Sequence, residues 1–398
     1  MPRTRMHIWA LAGAILLGHL WVPDTALAQE ATRCLAAHPA PDLPIPTPDR
    51  PRNLEAVHHI ATGAGIRVAV IDTGVANHPR LGGVEAGHDF VDNTNPHHDC
   101  DGHGTIVAGI IAARPGPDPL VGVAPDATII SIKQTSAQSR KRVQENTQAG
   151  GTLASVAAAI NRAVDLNAHV INLSVVSCLP AHARGRVNTA DLDRALQRAE
   201  ANGSVVVAAA GNVGDTCEPD SLVFPAHSPT VIAVTASADT HHIADYSVAS
   251  PREKVSAPGH VDVALSPRDA GLTSGLAGPQ GPAPFVGTSF AAPYVAGIVA
   301  LLKQRYPLET PAQLRARIFA AATPGTGHID PSWALAQLPA RDAVAHPVSV
   351  KIPGKPSQLT EHRSQVVLAS LLVGAVAGTA LLSVARAYRR PTVNPQHQ

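Results

Sequence analysis

Three side chains of orienter, base and nucleophile type, Asp72, His103 and Ser289, each lie in a Gly-marked turn beside an apolar run. The runs are Val68-Ala-Val-Ile-Asp72-Thr-Gly74, Asp101-Gly-His103-Gly-Thr105 and Gly287-Thr-Ser289-Phe-Ala-Ala-Pro293, with Ala208-Ala-Ala-Gly-Asn212 between the last two. A lone Asp after a strand is usually a turn residue, and a lone Ser before a helix is usually a cap. Together the three types describe one hydrolytic site. A serine hydroxyl is a weak nucleophile at neutral pH and needs a base. His103 can take that proton and return it to the leaving amine. Asp72 can fix the imidazole tautomer and stabilise its cation. Asn212 can offer an amide N–H to a developing oxyanion, beside the backbone N–H of Ser289, and losing one such donor costs roughly 10²–10³ in turnover.

Positioning these groups requires strands that end, and helices that begin, at one crevice. Ile66–Ile71, Thr128–Lys133, Val170–Val176, Val205–Ala210 and Val231–Ala236 are β-branched or apolar runs that read as buried parallel strands. Helical patterns alternate with them at Leu54–Thr62, Gly102–Ala113, Thr152–Leu166, Thr189–Ala201 and Ser289–Arg305. Another starts at Thr310-Pro-Ala-Gln313, a capping box with Pro at the first helical position, and runs to about Ala322. This alternation predicts a three-layer α/β/α domain with a mostly parallel sheet. Asp72 and Asn212 then fall at strand ends, where open α/β sheets bind ligands. His103 and Ser289 fall at helix starts, and the helix dipole at Ser289 favours nearby negative charge. Gln134–Gly151, polar and carrying Arg140-Lys-Arg142, is expected to be an exposed insertion loop.

A chain of 398 residues can bury an ample core. A net charge of +1 and an aromatic content of 3% give no basis for nucleic-acid binding. Residues 1–28 read as a secretory signal peptide, with Arg3 and Arg5, a short apolar run Ile8–Leu20 and a small-x-small site at Ala26-Leu-Ala28. Residues 29–53, rich in Pro, read as an extended strap. The catalytic domain is placed at 54–338 and a Pro-containing linker at 339–365. Residues 366–385 carry no charge and are long enough to cross a hydrocarbon core of about 30 Å. Arg386, Arg389 and Arg390 follow, so the tail 386–398 is expected in the cytoplasm and the body outside. Four cysteines in an exported chain suggest two disulfides, each contributing about 2–4 kcal/mol. Three pairings are open. Cys34–Cys100 with Cys178–Cys217 is preferred, because the first would tie the extension beside the His103 turn and the second would close a loop flanking Asn212. The pairs His58-His59, His97-His98 and His241-His242 lack metal-ligand spacing and read as exposed loop residues, so no metal site is assigned.

The four motif runs resemble those of subtilisin-type serine proteases, over residues 54–338, and the Asp, His, Ser order separates them from chymotrypsin-like and α/β-hydrolase enzymes. The whole layout of signal, Pro-rich extension, protease domain, linker and C-terminal span resembles the mycosins, membrane-anchored proteases of type VII secretion systems. That resemblance implies a serine endopeptidase without a cofactor, catalytic domain outside the cytoplasm, acting on exported or complex-associated proteins in contact with the secretion membrane complex. It also implies a substrate strand at Leu173, Ser174 and Val175, with Gly211 opposite. Two departures stand out. Val175-Val176 follow the substrate strand where subtilisins usually have Gly, so a branched side chain there is expected to restrict the residue accepted before the scissile bond. About 25 residues precede the domain after the signal, too few for a folded inhibitory prodomain. A different class of role is a structural clamp of the secretion complex, with proteolysis secondary.

Overall fold

Alternate residues of the strand Arg67–Asp72 point into two different cores, Val68 and Val70 into one and Ala69 and Ile71 into the other, and all four are fully buried. A strand covered on both faces must sit inside a layered domain. The computed structural model describes residues 34–40, 54–138, 151–183, 185–214, 217–249, 255–278, 281–337 and 358–388. The expected signal peptide, most of the Pro-rich extension, residues 139–150 and most of the linker fall outside the described residues.

The strands include, in chain order, β1 (Ala37–Pro39), β2 (Arg67–Asp72), β3 (Val84–Asp89), β4 (Thr128–Lys133), β5 (Val170–Leu173), β6 (Val205–Ala209), β7 (Val231–Ser237), β8 (Val255–Pro258), β9 (Ala264–Leu265) and β10 (Leu272–Gly278). The helices are α1 (Leu54–His58), α2 (His103–Ala112), α3 (Leu153–Asp165), α4 (Ala190–Ala201), α5 (Thr288–Arg305), α6 (Pro311–Ala321), α7 (Pro331–Ala336) and α8 (Gln358–Tyr388). Seven strands pair in parallel in the order β8-β7-β6-β5-β2-β4-β3. Helices α2 and α5 pack on one face, and α3 and α4 on the other. This is the expected three-layer arrangement. The order reverses at β2, which lies between β4 and β5, so the carboxyl ends of β2 and β5 flank the switch point where such sheets build sites.

Helix starts follow local chemistry. Thr152 caps α3 and Thr310 caps α6, each in a reciprocal capping box. β1 lies at an edge, antiparallel to β10, as a Pro-containing segment requires.

Three expectations need correction. The strand after Val170 ends at Leu173 rather than Val176, and a separate short strand, Ser177–Leu179, pairs with Leu222–Phe224. The segment from Gln134 is not exposed at its base. Gln134, Thr135, Ser136 and Gln138 are buried, because Asp101 accepts from the Ser136 hydroxyl and from the Ala137 and Gln138 amides. Within the His pairs, His58 and His97 are half-buried and bond the carbonyls of Val123 and Val75, whereas His59, His98, His241 and His242 are exposed.

The chain divides into two units, 1–339 and 340–398. In the second, α8 starts at Gln358, so the last part of the expected linker is helical. Its stretch Gln365–Arg386 has a mean hydropathy of 2.2 and is long and apolar enough to cross a membrane. The large apolar side chains between Val366 and Val384 are exposed.

Candidate active site

β2 ends on Asp72, which is fully buried. The next residue, Thr73, donates its backbone N–H to Asp72 Oδ1 at 2.7 Å. α2 begins at His103, after Gly102 in the left-handed region (φ 76°). Gly104 permits the close approach of the two turns, since a Cβ there would stand 1.9 Å from the Gly74 carbonyl oxygen. His103 Nδ1 lies 2.8 Å from Asp72 Oδ1 and His103 Nε2 lies 3.0 Å from Ser289 Oγ. A carboxylate can only accept, so Nδ1 carries the proton and the neutral ring offers Nε2 as acceptor to the Ser289 hydroxyl. Burial pushes the His103 pKa down, but the charge and hydrogen bond of Asp72, with the charges of Asp99 and Asp101, outweigh it and hold it above its ordinary value. The Phe290 ring packs 5.0 Å from the imidazole.

Ser289 is the second residue of α5 and is partly exposed. Its backbone N–H belongs to the first turn, where the helix supplies no acceptor. Asn212 follows β6 through Gly211 and faces the same space. Its Oδ1 accepts from the Thr288 backbone N–H and hydroxyl, both at 2.9 Å. Because a backbone N–H can only donate, that end of the amide is the oxygen, and Nδ2 is left to point elsewhere. A Cβ at Gly287 would stand 2.9 Å from Asn212 Nδ2 and 3.2 Å from Ser289 Oγ. The missing side chain of Gly287 thus leaves open a space bordered by both groups.

Thr288, which sequence reasoning passed over, fixes this arm. It is buried, and its hydroxyl also accepts from the Gly211 N–H at 3.1 Å. The signal was present as a hydroxyl residue directly before Ser289. The Gly211 loop is held further by Val248, whose N–H donates to the Gly211 carbonyl, and by the antiparallel bridge of Asn212 with Ser247.

The expected substrate strand divides. Val175 is partly exposed, and Ser174, which is buried, accepts from the Asn172 side chain at 2.9 Å. Leu173 is fully buried in the core and paired on both sides within the sheet, so it offers no surface to a peptide. Gly211 is also buried, with Cys217 Sγ and Val223 beneath it. Disulfides join Cys34 to Cys100 and Cys178 to Cys217. The first lies three residues before His103, and the second supports the Gly211 turn from below. Among the described residues, the side chains close enough to share a metal ion are Cys34, His98 and Cys100, but both sulfurs there are in a disulfide.

Comparison with known proteins agrees with this geometry. The subtilase family model matches residues 63–341. Mycosin-1 of Mycobacterium tuberculosis is 41% identical over 303 residues, covering 69% of this chain and 67% of the relative. Among solved structures, the serine protease MycP1, an essential component of the type VII (ESX-1) secretion system, superposes with a TM-score of 0.69 at 37% identity, covering 76% of this chain and 92% of that one. A chain of an intact ESX-5 inner membrane complex matches with a TM-score of 0.65 at 29% identity, covering 88% of this chain and 94% of its own. The chain belongs to the subtilase family and is a serine endopeptidase similar to the mycosins.

Proposed function

We propose that this chain is a membrane-anchored endopeptidase of a type VII secretion system that cuts exported or complex-associated proteins. The supporting observation is the continuous chain of contacts from Asp72 through His103 to Ser289, at 2.8 and 3.0 Å. Ser289 Oγ attacks the substrate carbonyl while its proton moves to His103 Nε2. Asp72 holds the ring and balances its new charge. The carbonyl oxygen becomes an oxyanion in the space beside Gly287, where Asn212 Nδ2 and the Ser289 N–H donate to it. His103 then passes the proton to the leaving amine, and water repeats the sequence to release the acyl group. The substrate backbone runs beside Ser174 and Val175, and the Val175 side chain narrows the pocket for the preceding residue. The domain boundaries, at residues 29, 54, 339, 366 and 386, belong to the same reading.

In this reading α8 anchors the chain, and the arginines that follow the span argue for a cytoplasmic tail and a catalytic unit outside. The match of this chain to one in an ESX-5 inner membrane complex, across most of both lengths, supports association with such a complex. The same match is the observation behind a second role, that of a clamp whose presence matters apart from cleavage, with the protease reading the one the relatives favour. Ser289→Ala in cells separates the two. Loss of substrate processing with secretion retained assigns both roles. Processing that continues unchanged would refute the catalytic reading.

A further inference from the structure

Asp99 stands four residues before His103 and is 1% exposed. A carboxylate is costly to bury unless its oxygens are hydrogen-bonded. Here Oδ1 accepts from the Thr73 hydroxyl at 2.7 Å and the Gly102 N–H at 2.8 Å. Oδ2 accepts from the Thr105 N–H at 2.9 Å and the Thr105 hydroxyl at 2.6 Å. The sense of these bonds is fixed by their neighbours. The Thr73 hydroxyl itself accepts from the Gly104 N–H, and the Thr105 hydroxyl from the Ala76 N–H. Each hydroxyl proton is therefore left for Asp99. Four donors converge on its two oxygens, which is the environment of an ionised carboxylate.

The four donors come from both arms that carry the reacting groups. Thr73 is the residue after Asp72, at the end of β2. Gly102 and Thr105 flank His103, at the start of α2. We propose that Asp99 is a positioning residue for the hydrolysis: it staples the turn after Asp72 to the first turn of α2, and its negative charge stabilises the imidazolium formed when His103 takes the Ser289 proton. Asp99 itself accepts no proton in that step. This assignment rests on the catalytic reading of Asp72, His103 and Ser289.

The charged groups around it are few. Asp72 lies on β2 and Asp101 in the same turn as Asp99, the latter engaged with residues 136–138. Arg268, between β9 and β10, donates Nη2 to the carbonyls of Asp99 and Cys100, not to the carboxylate, and Nε to the carbonyl of Leu35. Burial, seconded by the charge of Asp72, raises the Asp99 pKa, and the Thr105 and Thr73 bonds offset only part of that rise.

The test is the rate of labelling by a fluorophosphonate probe, measured from pH 5 to 9 on the detergent-solubilised full chain. Asp99→Asn keeps the shape, removes the charge and sets an N–H against donors. Labelling is expected to slow by roughly tenfold to a hundredfold, part of the 10²–10⁴ that general-base catalysis contributes. The acid limb should move to lower pH, because His103 loses a stabilising charge. Thr73→Val removes the Asp99 link to the Asp72 arm together with the Gly104 N–H bond to the same hydroxyl, and should slow labelling several-fold with the limb in place. A folded Asp99→Asn protein with the wild-type rate and limb would overturn the assignment. So would a loss of rate that only tracks its unfolded fraction, with the limb unmoved. If Asp99→Asn does not fold, Thr73→Val decides, and a wild-type rate there overturns the staple. An unlabelled wild-type enzyme would instead sink the catalytic reading, and this assignment with it.

Discussion

On one side of the Ser289 hydroxyl, Asp72 and His103 are held by buried groups whose hydrogen bonds run in fixed directions. Asp72 is fully buried and the His103 side chain is only 26% exposed. On the other side, Asn212 is exposed and its side chain is held by Thr288. The difference follows from what each arm has to do. The base and its carboxylate must keep a charge pair aligned away from water, where electrostatic interactions are stronger. The oxyanion side must stay open to admit a substrate carbonyl, so it is anchored from behind and left bare in front.

This contrast can be broken experimentally from either side. The largest effect is expected from Asp72→Asn, which leaves the shape but favours the wrong imidazole tautomer. Turnover should fall by about 10⁴ with little change in KM, measured on a peptide substrate. Asn212→Ala should lower turnover by roughly 10²–10³ while leaving the acid limb set by His103 in place, since the Asp72–His103 contact is untouched. Thr288→Val should have the smallest effect, because it removes the hydroxyl's bonds to Asn212 Oδ1 and to the Gly211 N–H but keeps the backbone bond to Asn212 Oδ1. A loss of about 0.5–1.5 kcal/mol, or roughly two- to tenfold in kcat, is expected. A Thr288→Val effect as large as that of Asn212→Ala would mean that Asn212 acts only when fully clamped, and the open arm would then be as rigid as the closed one.

Much of the frame could be read from the residues. The apolar runs ending at Asp72 and Ala209, and the Gly-marked turns at His103 and Ser289, carry their own boundary signals, and these four elements lie within a residue of expectation, whereas the helix expected at Leu54–Thr62 stops at His58. What escaped was decided by partners distant in sequence. The base of the insertion is buried because Asp101, some 35 residues earlier, accepts its hydroxyl and amides. β5 stops at Leu173 because the next residues leave the sheet toward the Ser177–Leu179 strand and its partner Leu222–Phe224. Leu173 belongs to the core and not to the peptide surface for the same reason that it is apolar and paired on both edges. Thr288 and Asp99 look like ordinary turn residues until the fold brings their acceptors and donors together. The start of α8 at Gln358 lies in polar sequence that hydropathy alone would leave out.

His103, biased toward its charged form by Asp72 yet neutral when Ser289 reacts, governs the nucleophile. Its pKa lies above the ordinary value of about 6.5. The protonated ring cannot accept, so reactivity should be full above that raised pKa and fall as pH drops through it. The direct measurement is the pH dependence of Ser289 labelling by a fluorophosphonate, in the wild type and in His103→Ala. A single acid limb above pH 6.5 in the wild type, absent along with nearly all labelling in His103→Ala, is the expected result. Equal labelling of both proteins at every pH would contradict it.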